Sequence, residues 1–203
     1  MSTPTSTSSS FSPTPPSGSD INTITNHLKT LYASYRATPS IPGKAVFFSK
    51  ECMQICAPQP SYAASGRETI ISYLEAASNS GVSIPGVSEK KDPKREGYTI
   101  RPLRLAEDEF TFETDEVVAH AGVESVDALK ERALREQWVG MRVDLWFEDE
   151  SEGGMLCKVQ YWWRKEDGTV GEGEGRWVQI LHDIMYMGLR DGTEGTEGDE
   201  VLQ

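Results

Sequence analysis

The stretch RWVQILHDIMYMG, Arg176–Gly188, reads as one long strand. Val178, Ile180 and Ile184 recur at period two, and His182 shares their parity, so an otherwise apolar face carries an imidazole. Two similar segments precede it, WVGMRVDLWFED (138–149) and MLCKVQYWWRKED (155–167). The joints between the three, ESEGG and GTVGEGEG, are short and glycine-rich, which predicts an antiparallel meander. Val143, Leu145 and Phe147 oppose Arg142, Asp144, Trp146 and Glu148 in the first segment. Val159, Tyr161 and Trp163 oppose Lys158, Gln160, Trp162 and Arg164 in the second. One face of the sheet is therefore expected to meet a core and the other to be amphipathic.

Upstream the periodicity changes from two to helical. Ile21, Ile24, Leu28, Leu31, Tyr32 and Tyr35 form a stripe behind a candidate N-cap, Asp20, and Pro39 with Ile41–Gly43 (IPG) ends it. KAVFFSKE adds a helical turn and CMQICAP a brief strand. GRETIISYLEAASNSG (66–81) is a second helix, buried through Ile70, Ile71, Leu74 and Ala77 and stopped by Gly81. A long polar loop over 82–97 leads to YTIRPLRL, where Pro102 implies an edge or bulged strand. The next stretch, 106–122, reads as extended or loop. SVDALKERALREQ (125–137) is a third helix, with Ser125 as cap and Ala128, Leu129, Ala133 and Leu134 as its apolar side. The order predicts an α+β fold: N-terminal helices packed on one face of a curved antiparallel sheet, with an extra helix before the final three-strand meander.

The 203 residues fit one domain. Residues 1–20 are rich in Ser, Thr and Pro and are expected to be a disordered tail, 21–188 the folded domain, and 189–203 an acidic flexible tail. A formal net charge of −12 argues against a broad phosphate-binding surface and against anionic membranes. No run reaches the ~20 apolar residues of a membrane span, and the N-terminus lacks the basic and apolar regions of a secretory signal. Three cysteines, Cys52, Cys56 and Cys157, fit reduced structural thiols in a cytoplasmic protein; the C-x3-C of the first two is weak as a metal motif. No dinucleotide fingerprint, P-loop, zinc-protease or nucleophile-elbow motif occurs, so neither a metal nor a cofactor is expected.

The element order, with FFSKECMQICAPQPSYAASGRETIISYL (47–74) leading from a short strand into a Gly-Arg-Glu helix start, resembles the nuclear-transport-factor-2-like fold. Within that superfamily the chain is similar to the SnoaL-like group, the small cone-shaped relatives of polyketide cyclases, ketosteroid isomerase and scytalone dehydratase. The resemblance implies a cofactor-independent isomerase, cyclase or dehydratase. Its substrate would be a small apolar carbonyl compound of polyketide type, in secondary metabolism. The same fold also serves as a non-catalytic ligand-binding or protein-interaction module, and that alternative stands beside the first.

His182 is the leading candidate: desolvated in an apolar pocket, it is a neutral general base, or else a core histidine satisfied by one partner. Tyr161 shares the core parity of the neighbouring strand and is suited to donate to a developing enolate oxygen. The resemblance places Tyr35, from the first helix, in the substrate-oxygen role. Tyr32, Trp163, Phe147 and Leu145 are expected to line the pocket, with His120 near its mouth; ordinary core packing is the alternative for each tyrosine. The 125–137 helix is expected to lid or narrow the cone. Asp144 and Asp183 are expected to face solvent or an interface, and His27 solvent. Trp146 and Trp162, with Gln160, Leu181 and Met185, suggest a homodimer surface on the opposite sheet face.

Overall fold

The computed structural model describes residues 18–79, 96–104, 112–147, 154–167, 175–194 and 199–202. The stripe from Ile21 to Tyr35 is helix α1, Gly18–Ala37, which begins two residues before the predicted cap. It stops two residues ahead of Pro39, whose ring disfavours helical backbone in the residue before it. At the end of α1 the Tyr35 carbonyl accepts from the Thr38 amide at 3.3 Å and from Lys44 Nζ at 2.8 Å. Ile41–Gly43, expected only to end the first helix, joins Lys44 in the short helix α2, Ile41–Lys44, and Ala45–Phe47 continues as the expected helical turn. Ser40 Oγ accepts from the Gly43 amide and Pro42 sits in the first turn, where its missing N–H costs nothing.

Strand β1 runs Phe48–Cys56, longer than the brief strand expected, and β2 is Ala64–Ser65. Helix α3 is Arg67–Asn79 and strand β3 Glu96–Pro102. Helix α4, Asp115–Ala119, occupies a stretch read as extended; Thr114 caps it by accepting from the Val117 amide. Helix α5 is Val126–Arg135, with Ser125 Oγ accepting from Ala128 N as the sequence suggested. The meander is β4 (Val139–Phe147), β5 (Met155–Glu166) and β6 (Arg176–Leu189), followed by β7 (Asp199–Leu202). The N-terminal tail to residue 17 and the loop over 80–95 lie outside the described residues.

The fold is α+β, with helices first and a seven-stranded curved sheet in the order β2-β1-β6-β5-β4-β3-β7. It is mixed rather than antiparallel, because β1 pairs with β6 in parallel. Strand β3 is no edge, since β7 pairs with it through Gly97–Ile100, so part of the C-terminal stretch expected to be a flexible tail completes the sheet. Pro102 is tolerated because it ends β3, beyond the last β7 pair at Ile100, where no ladder amide is required.

Two apolar cores lie on opposite faces of this sheet. The inner one joins Leu28, Tyr32 and Tyr35 of α1 and Ile70 and Leu74 of α3 to Tyr98, Met141, Val143, Leu145, Val159, Tyr161 and Trp163. The second packs Leu129 and Ala133 of α5, with Phe112 and Val118, on Met53, Ile55, Trp162, Ile180 and Leu181. Helix α5 is thus not a lid over the cone; its buried stripe covers the other face. Trp162, expected at a dimer surface, is 1% exposed and meets Phe112 with ring centroids 5.0 Å apart. Trp146 is 5% exposed and lies against Gly97, where a Cβ would come within 2.6 Å of its ring. Trp146 and Trp162, whose expected exposure suggested a homodimer surface, are thus both buried within the chain.

An ion-pair network clamps α5 to the sheet. Arg132 meets Glu51 at 2.6 Å and Glu136 at 2.9 Å, while Arg164 meets Glu136 at 2.7 Å and Glu166 at 2.8 Å. Trp138 Nε1 donates to Glu136 and Ser49 Oγ to Glu166, so β1, β5 and the α5–β4 joint share one network. That joint closes with Trp138 N bonded to the Ala133 carbonyl and Gln137 N to that of Leu134, with Gln137 at φ +53°. This is the hydrogen-bond pattern of a Schellman cap, at a position that glycine usually fills.

Candidate functional site

The strand that carries His182 is bulged twice, and the bulges decide which side chains meet. Opposite β5, Trp162 pairs with Leu181 but Trp163 pairs with Gln179, leaving Ile180 as the extra residue. A second shift, between the Lys158–Tyr186 and Val159–Ile184 pairs, makes Met185 the other extra residue. Ile180 and Leu181 therefore both reach the second core. Val178, opposite Arg164, falls on that side too, so the parity that grouped Val178 and Ile180 with His182 does not hold. His182 nevertheless points inward, opposite Tyr161 and Gln54. Gln179, an odd number of residues away, joins it there.

His182 is 4% exposed and sits between two rings, Phe48 at 5.1 Å and Tyr161 at 5.0 Å between centroids, both edge-on. Its Nε2 lies 2.6 Å from Gln179 Oε1 and 3.9 Å from Cys52 Sγ. Donation of Nε2–H to Gln179 leaves Nδ1 with the lone pair, because a neutral imidazole has one donor and one acceptor. Burial lowers its pKa from 6.5 to about 3, so the ring is neutral throughout the physiological range. Burial also raises the phenol of Tyr161 well above its ordinary value and that of Tyr35 to about 12. The Tyr32 hydroxyl is buried beside Tyr161 and makes no hydrogen bond of normal geometry.

A cavity of about 50 Å³ opens beside this cluster. His182, Tyr161, Tyr35 and Leu145 of the predicted residues lie on its wall. Tyr32 and Trp163 are packed in the inner core behind it, and Phe147 is half-buried near the end of β4; none of the three is on the wall. His120 caps the C-terminus of α4, exposed, away from the cavity, and His27 is exposed on α1. Sequence reading did not single out Arg36, Gln54, Tyr62 or Tyr73 as wall residues, nor Gln179 as the partner of the imidazole. Arg36 was legible in principle, one helical turn after Tyr32 on the same face; Gln179 was hidden by the bulge. Tyr62 and Tyr73 on this wall are half-buried, with ring centroids 5.2 Å apart.

Asp144 and Asp183, expected at solvent or an interface, are buried on the second face. Asp144 is 7% exposed and paired with Arg142 at 2.8 Å. Asp183 is fully buried, and among the described residues neither of its oxygens has a hydrogen-bond partner. Desolvation, helped by the charge of Glu113 and opposed by Arg142, raises its pKa well above the usual carboxylate range. A second cavity, about 610 Å³ and open to solvent, runs between β1–β2 and α5. Its walls include Glu51 and Arg132, which belong to the ion-pair network. Among the described residues no group of three or more His, Cys, Asp or Glu side chains is arranged to hold a metal.

N-terminal helices over a curved mixed sheet, with polar groups converging on its inner face, define a cone domain of the nuclear-transport-factor-2-like class. A family model described as the SnoaL-like domain matches residues 17–203, and the chain belongs to that family. A solved chain from Xanthomonas campestris, described as a calcium/calmodulin dependent protein kinase II association domain, is similar at 12% identity. The alignment covers 79% of this chain and 86% of that one, with a TM-score of 0.41. No curated protein sequence matches the chain.

Proposed function

We propose that the domain binds one small, largely apolar molecule in the His182–Tyr161 cavity. The observation that carries this reading is the convergence of an imidazole and the phenols of Tyr161 and Tyr35 on one otherwise mostly apolar wall. Such a wall, apolar with a few placed polar groups, is the usual make-up of a small-molecule site. At about 50 Å³ the cavity holds a few waters, well short of the ~300–1,000 Å³ of an organic ligand site. Entry therefore requires wall side chains to move, half-buried Tyr62 and Tyr73 among them. Denaturing extraction followed by mass spectrometry is expected to release a bound organic molecule from the wild type and none from Val159→Trp, which plugs the cavity. A folded wild type that carries nothing and takes up none of a panel of small aromatic carbonyl compounds overturns the reading.

A second reading is a cofactor-independent isomerase, cyclase or dehydratase on a polyketide-like carbonyl compound. The contact of His182 with Tyr161 supports it, because an acceptor Nδ1 and a phenol donor are the two groups that enolisation needs. The low basicity of His182 weighs on the other side: a base with a pKa of about 3 has little driving force to remove a proton from carbon. His182→Gln is expected to slow turnover of the extracted ligand by ~10²–10⁴-fold if the ring is a base. Unchanged turnover removes it from the chemistry.

A further inference from the structure

Two hydrogen-bond acceptors stand side by side on the cavity wall. Gln54 of β1 and His182 of β6 are register partners on adjacent parallel strands, and both line the cavity. Strands paired in this way lie roughly 5 Å apart. Gln54 is 4% exposed, and its Nε2 donates to the Tyr62 carbonyl at 2.7 Å. A carbonyl only accepts, so that bond fixes which way round the amide sits and leaves Oε1 as the acceptor it can offer a ligand. Donation of His182 Nε2 to Gln179 Oε1 likewise leaves Nδ1 as the acceptor of the imidazole. Among the described residues no donor reaches either atom. Acceptors enclosed away from water are costly until a donor meets them.

The same wall holds the complementary donors, because burial keeps the phenols of Tyr35 and Tyr161 protonated. A hydroxyl is the smallest organic group that serves both sets, giving its hydrogen to Nδ1 or Oε1 while its oxygen accepts from a tyrosine. A carbonyl, an ether or a halogen in that place sets lone pairs against lone pairs. We propose that the cavity selects a small apolar compound by a phenolic or enolic hydroxyl, which donates to the His182–Gln54 acceptor pair and accepts from Tyr161 or Tyr35. The hydrocarbon body lies against Leu145, Val159 and Ile184. The proposal rests on the binding reading above and names its ligand class, with Gln54 as the specificity-determining side chain of β1.

The test uses the full chain and two probes of similar shape, phenol and fluorobenzene, of which only the first donates. Titration calorimetry is expected to show phenol binding about tenfold or more tightly than fluorobenzene, since a site built around a hydroxyl rejects the analogue that lacks one. Gln54→Met, close in shape and without the acceptor, is expected to cut that ratio at least about threefold. A second measurement needs no variant: in chain labelled with nitrogen-15 histidine, phenol is expected to move the Nδ1 resonance of His182 and fluorobenzene to leave it in place. Equal binding of the two probes, a ratio untouched by Gln54→Met, or an Nδ1 resonance that ignores phenol each overturns the proposal and leaves the binding reading intact. Binding of neither probe overturns it as well, and the extraction experiment then decides the binding reading independently.

Discussion

The imidazole Nε2 of His182 and the amide Oε1 of Gln179 lie 2.6 Å apart on one strand, on one face, three residues from each other. In a regular strand an odd separation puts two side chains on opposite faces; the extra residue Ile180 cancels that rule. The pair is fully enclosed, so each partner's loss strands the other. His182→Leu is expected to lower the unfolding free energy by about 1–3 kcal/mol, and Gln179→Leu by a similar amount. The double variant is expected to cost less than their sum, with a coupling of about 0.5–3 kcal/mol measured by urea denaturation. Strict additivity would show that the two do not interact.

The buried imidazole also sets a pH dependence. Its folded pKa of about 3 lies below the ordinary 6.5, so between these values the unfolded chain binds a proton that the folded one refuses. The contribution of the neutral ring is full above pH 6.5 and is lost as pH falls, by about 1.4 kcal/mol per unit. The stability difference between wild type and His182→Gln is therefore expected to shrink by that slope between about pH 6 and about pH 5. A pH-independent difference would place the imidazole in contact with solvent.

Asp183 titrates in the opposite sense. Its folded pKa is raised, so the folded chain keeps a proton that the unfolded one releases, and stability falls as pH rises above the ordinary carboxyl value. Asp183→Asn is expected to gain on the wild type by about 1.4 kcal/mol per pH unit above about pH 4, until the carboxyl ionises within the fold. Urea unfolding at about pH 5 and about pH 8 reads this directly; equal gains at both would reject it.

Trp162 fills the second core beneath Phe112. Trp162→Ala is expected to cost about 3–5 kcal/mol by the cavity it leaves and to leave the sedimentation coefficient unchanged. A change of oligomeric state with little loss of stability would instead make this face an intermolecular surface.

Gln137 holds a left-handed backbone, φ +53°, at the end of α5. A side chain there costs about 1–2 kcal/mol, partly offset by the greater freedom glycine has when unfolded. Gln137→Gly is expected to raise stability by about 0.5–1 kcal/mol, read from the thermal midpoint. A decrease would mean that the Gln137 side chain makes contacts worth more than the strain.

Local chemistry determined much of this protein. The helical stripe from Ile21 to Tyr35, the capping hydroxyl of Ser125 and the alternation along 139–166 are all short-range signals, and each appears in the fold as an element of the expected type. Tyr35, Tyr161 and Leu145 share a cavity wall with His182, but the stripe that suggested the inward aim of His182 does not survive, since Val178 and Ile180 fall on the other face. Tertiary structure decided the rest. A bulge moves one residue across the sheet for little energy, so the alternation could not say that Ile180 would leave the histidine's face and Gln179 join it. The modest apolar side of α5 has two sheet faces available, and packing on Trp162 rather than over the cone put an expected lid and the tryptophan expected at a dimer surface into one core. β7 and the burial of Asp183 were likewise settled by partners distant in sequence, because pairing and desolvation depend on the neighbours brought alongside.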